Sequence, residues 1–146
     1  MKLLPYALAA IGVAVLFTSS NSTAETAKLL DHLLWDTNLD FTTCSLTLET
    51  AETISDTIGY GPNAPKTKDA YKKFYEYRDK AATNAEDRFA VIKQELASKE
   101  SAKAALKDLY IYWRAEIAPC VTYKKSDAVT SKFRLLLERV RVEASW

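Results

Sequence analysis

One short segment, residues 59–65, holds most of the helix-breaking residues that follow residue 24. It reads GYGPNAP, and the next glycine or proline along the chain is Pro119. Stretches rich in Ala, Leu, Lys and Glu lie on both sides, and such stretches favour α-helix when Gly and Pro are absent. The segment therefore predicts a tight connection between two long helices.

Apolar residues recur at steps of three and four on each side of this connection, which is the period of an α-helix. In the first helix, predicted over residues 26–58, this stripe consists of Leu30, Leu34, Phe41, Cys44, Leu48, Ala51, Ile54 and Ile58. Further helices are predicted over residues 67–97, capped by Thr67, and over residues 98–118, with a fourth that begins at Ser126 or Asp127. Residues 36–40 favour caps and turns, so a break of the first helix there is left open.

The helix lengths predict an all-α fold, an up-down-up-down four-helix bundle. The first two helices are of nearly equal length and form a long antiparallel hairpin, and the shorter third and fourth helices pack beside its lower part. A rise of about 1.5 Å per residue places Cys44 and Cys120 at the same height, within one turn of each other. The sequence therefore predicts one disulfide, Cys44–Cys120, and residues 46–77 of the hairpin should project beyond the shorter pair.

The first 24 residues have the layout of a secretory signal peptide. Lys2 is the only charged residue before Glu25, residues 3–17 are almost wholly apolar, and the small residues that a signal peptidase reads end at Ala24. The apolar stretch of about fifteen residues is shorter than the roughly 20 that a spanning helix needs, so an uncleaved anchor is the weaker alternative. We predict that residues 1–24 are a leader that is removed.

The mature protein would then be a single helical bundle domain, residues 25–146, located in the periplasm or secreted. No stable membrane span remains once the leader is cleaved. Disulfides form and persist in oxidising compartments of this kind. The predicted export and the predicted bond between Cys44 and Cys120 therefore support each other.

The balance of charge argues against nucleic acid as a partner. The chain has 20 Lys and Arg against 19 Asp and Glu, and loss of Lys2 makes the two equal, so no net field attracts phosphate. The acids concentrate in residues 25–60, where Lys28 is the only basic residue apart from a histidine. This asymmetry indicates either an acidic face for a basic partner or, as we favour, an acidic helix packed among basic neighbours.

No motif for catalysis, for a metal or for a cofactor stands out. His32 is the only histidine, and with both cysteines in a disulfide too few ligands remain for a zinc site. The sequence has no Cys-Xaa-Xaa-Cys-His haem motif and no Gly-Xaa-Ser-Xaa-Gly nucleophile turn. We therefore predict that the protein is not an enzyme and carries no cofactor or metal.

Aromatic residues crowd the connection end of the predicted hairpin. Tyr60 lies in the connection itself, and Tyr71, Tyr75 and Tyr77 follow in the second helix, which is more than one helix face can bury. Tyrosine is favoured at protein interfaces, where one end of the ring is wet and the rest is apolar. We predict that these four tyrosines bind a protein partner, and the alternative is that they belong to the core.

Three acids of the first helix, Glu49, Glu52 and Asp56, are predicted to complete this partner-binding surface by adding polar selectivity. The lysines that open the second helix face them across the hairpin, and we expect charge pairing between the two helices. These lysines are Lys66, Lys68, Lys72 and Lys73. Exposed pairs of this kind contribute only about 0–1 kcal/mol each.

These features favour an exported protein-binding module, of the kind represented by an inhibitor or immunity protein that docks on a toxin or a cell-wall hydrolase. The protein is small, closed by a disulfide and without chemistry of its own, so the prediction rests on architecture and exclusion rather than on a motif. The alternative is a small-molecule-binding helical bundle, in which Tyr and Trp side chains line the core around an apolar or aromatic ligand.

Overall fold

A computed structural model describes residues 14–57, 60–120 and 126–146 of the chain. They form the α-helices α1 (Ala14–Asp56), α2 (Pro65–Glu95), α3 (Glu100–Tyr112) and α4 (Ser126–Ser145), with a π-helical turn (Trp113–Ile117) that continues α3. These residues contain no strand, so the predicted all-α fold is confirmed. Of the predicted leader, residues 1–13 lie outside the described ranges, and the remainder belongs to α1.

The helices pack in a ring. Each helix contacts its neighbours along the chain, and α1 also contacts α4, so the interfaces run from α1 to α2, α3, α4 and back to α1. This is the arrangement of an up-down-up-down bundle, in which successive helices are antiparallel. Of the four interfaces, the one between α1 and α2 is the most extensive and the one between α2 and α3 the least.

The core lies between the four helices and is almost wholly apolar. Each helix contributes side chains with no exposure to solvent, among them Leu30 of α1, Ile92 of α2, Leu109 of α3 and Phe133 of α4. Burying one such side chain contributes about 1.5–3 kcal/mol relative to leaving it exposed. The apolar faces predicted from the sequence therefore pack together in one hydrophobic core.

The observed core face of α1 differs from the predicted stripe at several positions. Leu33 is fully buried although the stripe did not include it, and Leu34 is half-buried at the edge of the same cluster. Both leucines are apolar, so the sequence alone does not say which of them points between α2 and α4. Ile54 is also half-buried, and Ile58 lies outside the described residues.

Helix α1 is continuous through residues 36–40, so the break that the sequence left open does not occur. Asp36 forms an ion pair with Arg88 of α2 at 2.5 Å. Asp40 accepts a hydrogen bond of 3.0 Å from the hydroxyl of Tyr77, also in α2. These carboxylates would otherwise be free to cap a new helix start, and their partners on α2 remove that competition.

Helix α2 begins two residues earlier than predicted, and Thr67 is not its cap. Ala64 occupies the N-cap position in an extended conformation and Pro65 is the first helical residue, where its fixed φ is already suited to the helix. Thr67 is instead fully buried, and its hydroxyl donates to the backbone carbonyl of Tyr60 at 3.4 Å. The threonine thus secures the connection between α1 and α2.

The predicted disulfide is present between Cys44 and Cys120, with 6.0 Å between the two Cα atoms. The chain leaves the π-turn through Pro119, and Cys120 has a left-handed backbone with φ of 59°. This conformation costs a non-glycine residue about 1–2 kcal/mol. The bond and the packing of both cysteines on the buried ring of Phe74 hold it in place.

Candidate functional site at the hairpin tip

The end of the α1–α2 hairpin extends beyond the packed core. We call residues 49–57 and 60–73 the hairpin tip. The two core clusters reach up the hairpin only as far as Leu48 in α1 and Tyr71 in α2, which pack beside the disulfide. Within the hairpin tip, Ala51 and Thr67 are the buried residues. Because so few residues of the hairpin tip are buried, most of its side chains are available for contact with another molecule.

Aromatic and cationic side chains form a ladder along one face of α2. The rings of Tyr71 and Tyr75 stack with centroids 6.3 Å apart, and Phe74 and Tyr75 are 5.0 Å apart. The guanidinium of Arg78 lies 5.0 Å from the Tyr75 ring and 5.9 Å from the Phe74 ring, within the range of a cation–π interaction. We call these four residues the tyrosine ladder.

Tyr75 is the exposed member of this ladder. It is 47% exposed, whereas Tyr71 is half-buried and Phe74 is buried against the disulfide. Neighbouring rings and the guanidinium therefore fix the orientation of a large side chain that remains open to solvent. A shallow depression of about 590 Å³ borders it, between Pro62 at one end and Asp79 at the other.

Tyr60 lies at the turn of the hairpin and is held there by α2. Its hydroxyl accepts a hydrogen bond of 2.8 Å from Nζ of Lys66, and the same ammonium lies 4.9 Å from the ring centroid. The hydrogen bond that Lys66 donates to Tyr60 raises the pKa of this exposed lysine. Since Thr67 also holds its backbone carbonyl, Tyr60 has a defined place at the apex.

Tyr77 is separate from the other three tyrosines. It points toward α1, where its hydroxyl donates to Asp40, and its half-buried ring packs beside the disulfide. Burial raises the pKa of the Tyr77 phenol, and the nearby Asp40 carboxylate raises it further. Its evident role is to join the two helices of the hairpin.

The predicted charge pairing across the hairpin is wrong. Lys73 pairs with Asp69 at 2.8 Å and Lys72 with Glu76 at 3.8 Å, one turn apart within α2. A partner four residues away on the same helix is always in reach, so these lysines do not depend on α1. The pairing lowers the pKa of Asp69 and raises that of Lys73.

The three predicted acids on α1 are thus not neutralised by the lysines opposite. Glu49 and Glu52 are half-buried and Asp56 is exposed, and within the described residues none of them forms an ion pair. In the described ranges, these acids also form no hydrogen bond with Tyr60 or Tyr75. They form a flank of negative charge on α1, distinct from the tyrosine ladder on α2.

Farther down α1, two of the four acidic residues are paired with basic neighbours. Asp31 binds Arg141 of α4 at 2.7 Å, and Asp36 binds Arg88 of α2. These two pairs are of the kind expected for an acidic helix packed among basic neighbours, the interpretation that we favoured, whereas Glu49, Glu52 and Asp56 have no such partner among the described residues. The unpaired charge that remains is concentrated near the hairpin tip.

A second apolar stripe, which was not predicted from the sequence, lies on the outer side of α1. Trp35, Leu39 and Leu46 are all exposed and lie at helical spacing, on the side away from the core. The hydroxyl of Thr50, one turn on, donates to the carbonyl of Leu46 at 2.8 Å, so this polar group is satisfied within the helix. The steps from 35 to 39 to 46 were visible in the sequence as a second periodic set.

The aromatic interior offers little room for a ligand. Phe89, Tyr110 and Trp113 contact one another with ring centroids 5.2–5.7 Å apart. The cleft beside Trp113 has a volume of only about 30 Å³, whereas ligand pockets measure about 300–1,000 Å³. A much larger space, about 620 Å³, lies between α2 and α3 at the surface.

The chain matches no family model, no curated protein and no solved structure. In the described ranges, no helix is long and apolar enough to cross a membrane. The same ranges hold no group of three or more His, Cys, Asp or Glu side chains that could bind a metal ion. Inference about function therefore rests on the geometry of the surface.

Proposed function

We propose that this protein is an exported binding module that docks on another protein through its hairpin tip and tyrosine ladder. The observation that carries the proposal is Tyr75, which stacks between Tyr71 and Arg78 and stays 47% exposed although the adjacent Phe74 is buried against the disulfide. Tyr and Arg are enriched among the residues that dominate binding energy at protein interfaces. An inhibitor or immunity protein that blocks a toxin or a cell-wall hydrolase is the class that fits.

Rigidity strengthens this proposal. Immobilising a side chain on binding costs about 0.5–1.5 kcal/mol, and Tyr75 is already held by its neighbours before any partner arrives. The ladder rests on Phe74, which packs against the Cys44–Cys120 disulfide. The aromatic surface is thus preorganised, and the disulfide beneath it holds α1 and the end of α3 together.

The charges around the ladder favour a partner with a mixed polar rim. Lys68, Lys72, Glu76 and Asp79 border the depression beside Tyr75, so both signs are present there. The flank of Glu49, Glu52 and Asp56 on α1 adds negative charge near the same end. A basic segment of the partner would complement this flank, and charge complementarity of this kind raises the rate of association and the specificity.

The docking proposal is tested by comparing capture with Tyr75→Ala and with a control. Truncating an interface tyrosine typically costs 2 kcal/mol or more, so Tyr75→Ala, like Tyr60→Ala, should weaken partner binding by about tenfold or more. The melting temperature should stay nearly unchanged, since both rings lie outside the main core. Quantitative mass spectrometry of proteins captured from envelope extracts measures the difference.

Ile111→Ala is the matched control, because Ile111 is 54% exposed and lies on α3, away from the hairpin tip. A protein captured by the wild type and by Ile111→Ala, but lost with Tyr75→Ala, supports the proposal. Capture that survives Tyr75→Ala and Tyr60→Ala but fails with Trp35→Ala would place the interface on the outer stripe of α1 and overturn it. Unfolding of the tyrosine variants would assign those rings to the core.

Export has its own test, because the leader should be removed after Ala24. Ala24 and Glu25 are exposed, and Thr26 is the first buried residue among those whose burial is described, so the packed bundle begins just after the predicted cleavage position. N-terminal sequencing of the protein from the cell envelope should begin at Glu25. Protein that starts at Met1 and accumulates in the cytosol would contradict export.

A small-molecule-binding function is the second candidate. It is favoured by the large space between α2 and α3, not by the aromatic core, which is closely filled. Such a ligand would bind at the surface of the bundle, on the side of α2 that faces α3.

A further inference from the structure

We propose that the groove between α2 and α3 binds an amphipathic carboxylate, a medium-chain fatty acid. This α2–α3 groove is lined by side chains from residues 86–93 of α2 and 100–110 of α3. Its volume of about 620 Å³ lies within the range of about 300–1,000 Å³ found for ligand sites. This inference rests on the second candidate function, small-molecule binding, and the groove is independent of the hairpin tip, so the docking proposal and this one can fail separately.

The floor of the groove is apolar and rigid. Phe89 and Leu106 belong to the main core and are nearly fully buried, yet they line the groove from below. Tyr110 packs edge-on against Phe89 with ring centroids 5.2 Å apart. An alkyl chain laid on this floor would remove apolar surface from water on both molecules, which contributes about 25 cal/mol for each Å² buried.

Small residues keep the groove open. Ala90 and Ala104 lie on opposite walls, and neither side chain extends across the space between the helices. The least extensive interface of the bundle is the one between α2 and α3, which leaves this space unfilled. Residues 100–110 span about 15 Å along a helix axis, so the groove accommodates an alkyl chain of medium length.

The charges in the groove favour an anion. Glu86 is bound by Arg114 and Glu100 by Lys103 at 2.5 Å, so both acids already have cationic partners. Lys93 and Lys107 form no ion pair within the described part of the chain, and one stands on each wall. Two lysines without an ion pair, one on each wall beside an apolar floor, favour a ligand that joins a carboxylate to an alkyl tail.

The test is a calorimetric titration of the purified, disulfide-bonded protein with decanoate. The decanoate concentration is kept below the one at which decanoate forms micelles. Decanoate should bind saturably at one site. Combined Lys93→Gln and Lys107→Gln should weaken binding by about tenfold or more, because the carboxylate loses both cations. Decanol, which has the same tail without the charge, should bind the wild type weakly and be insensitive to these changes.

Two further variants separate the groove from general surface binding. Ala104→Leu extends a side chain into the groove from an exposed position and should abolish decanoate binding while leaving the far-ultraviolet circular dichroism unchanged. Lys68→Gln with Lys72→Gln removes two lysines at the hairpin tip and should leave binding unchanged. Absence of saturable binding to the wild type, or equal affinity in the Lys93 and Lys107 double variant, would overturn the proposal.

Discussion

Loss of the Cys44–Cys120 disulfide should lower the melting temperature by roughly 15 °C. The bond closes a loop with a sequence separation of 76 residues, for which the chain-entropy model gives about 4.5 kcal/mol of stabilisation. Cys44→Ser, Cys120→Ser and the double variant should be destabilised to similar extents, because each removes the same cross-link. Thermal unfolding followed by circular dichroism measures the effect.

Alanine variants separate the cross-link from the polarity of the new side chain. Both cysteines are buried beside Phe74, so a serine hydroxyl placed there would add its own desolvation penalty of about 1–3 kcal/mol. Cys44→Ala with Cys120→Ala lacks that hydroxyl and should retain most of the loss. Two free thiols titrated in native protein purified from the cell envelope would show that the bond is absent and contradict the prediction.

The second large effect is expected at Trp113. This residue is 2% exposed at the start of the π-turn, and its ring centroid lies 5.4 Å from that of Phe89 and 5.7 Å from that of Tyr110. Trp113→Ala should reduce the free energy of unfolding by about 3–5 kcal/mol, since it leaves a cavity in a closely packed aromatic cluster. Urea unfolding measures this free energy.

The chain supplies a matched control for this variant, because Trp35 is 72% exposed. Trp35→Ala removes the same side chain from the outer surface of α1 and should change the free energy of unfolding by no more than about 0.5 kcal/mol. A comparable loss in both variants would mean that Trp35 is covered in the folded protein. Near-ultraviolet circular dichroism should change mainly in Trp113→Ala, where the ring is fixed against its neighbours.

The sequence was sufficient for the fold because its signals are local and agree. The glycines and prolines of residues 59–65 predict the connection between α1 and α2, and the nearly equal lengths predicted for the two helices fix the height of Cys44. The observed α1 is longer, because it begins at Ala14 and not at residue 26. Because Pro119 ends the helical segment after α3, the number of residues in that segment and the rise of about 1.5 Å per residue give the height of Cys120. A single disulfide and a helix ring were therefore predictable without knowledge of any side-chain contact.

The wrong predictions concern the ion pairs of the lysines, the buried leucine of α1 and the cap of α2. In each case the sequence offers two chemically similar alternatives. Lys73 could pair with an acid on α1 or with Asp69 on its own helix, and the nearer partner prevails because it needs no tertiary alignment. Leu33 and Leu34 are both apolar, and only the position of α4 relative to α1 decides which is buried. Thr67 could cap α2, but Pro65 starts the helix earlier and leaves the threonine inside.

The surfaces were only partly predictable. Tyr75 stood out by composition, and the contact with Arg78 that the structure adds follows the three-residue spacing of neighbours on a helix. The α2–α3 groove could not be foreseen, because it depends on the distance between two helix axes and on the small size of Ala90 and Ala104. Its free cations, Lys93 and Lys107, become apparent only after the partners of the other charged residues are known.

The disulfide divides the bundle into segments that lie within a covalently closed loop and segments that lie outside it. The covalent loop contains α2, α3 and the upper end of α1, whereas α4 and the part of α1 before Cys44 lie outside it. Those two outer segments contact each other, through the core and the Asp31–Arg141 ion pair, and no covalent bond limits their separation. Partial opening of the molecule would therefore start with α4 swinging away from α1, while the hairpin and its tyrosines remain tied to the end of α3.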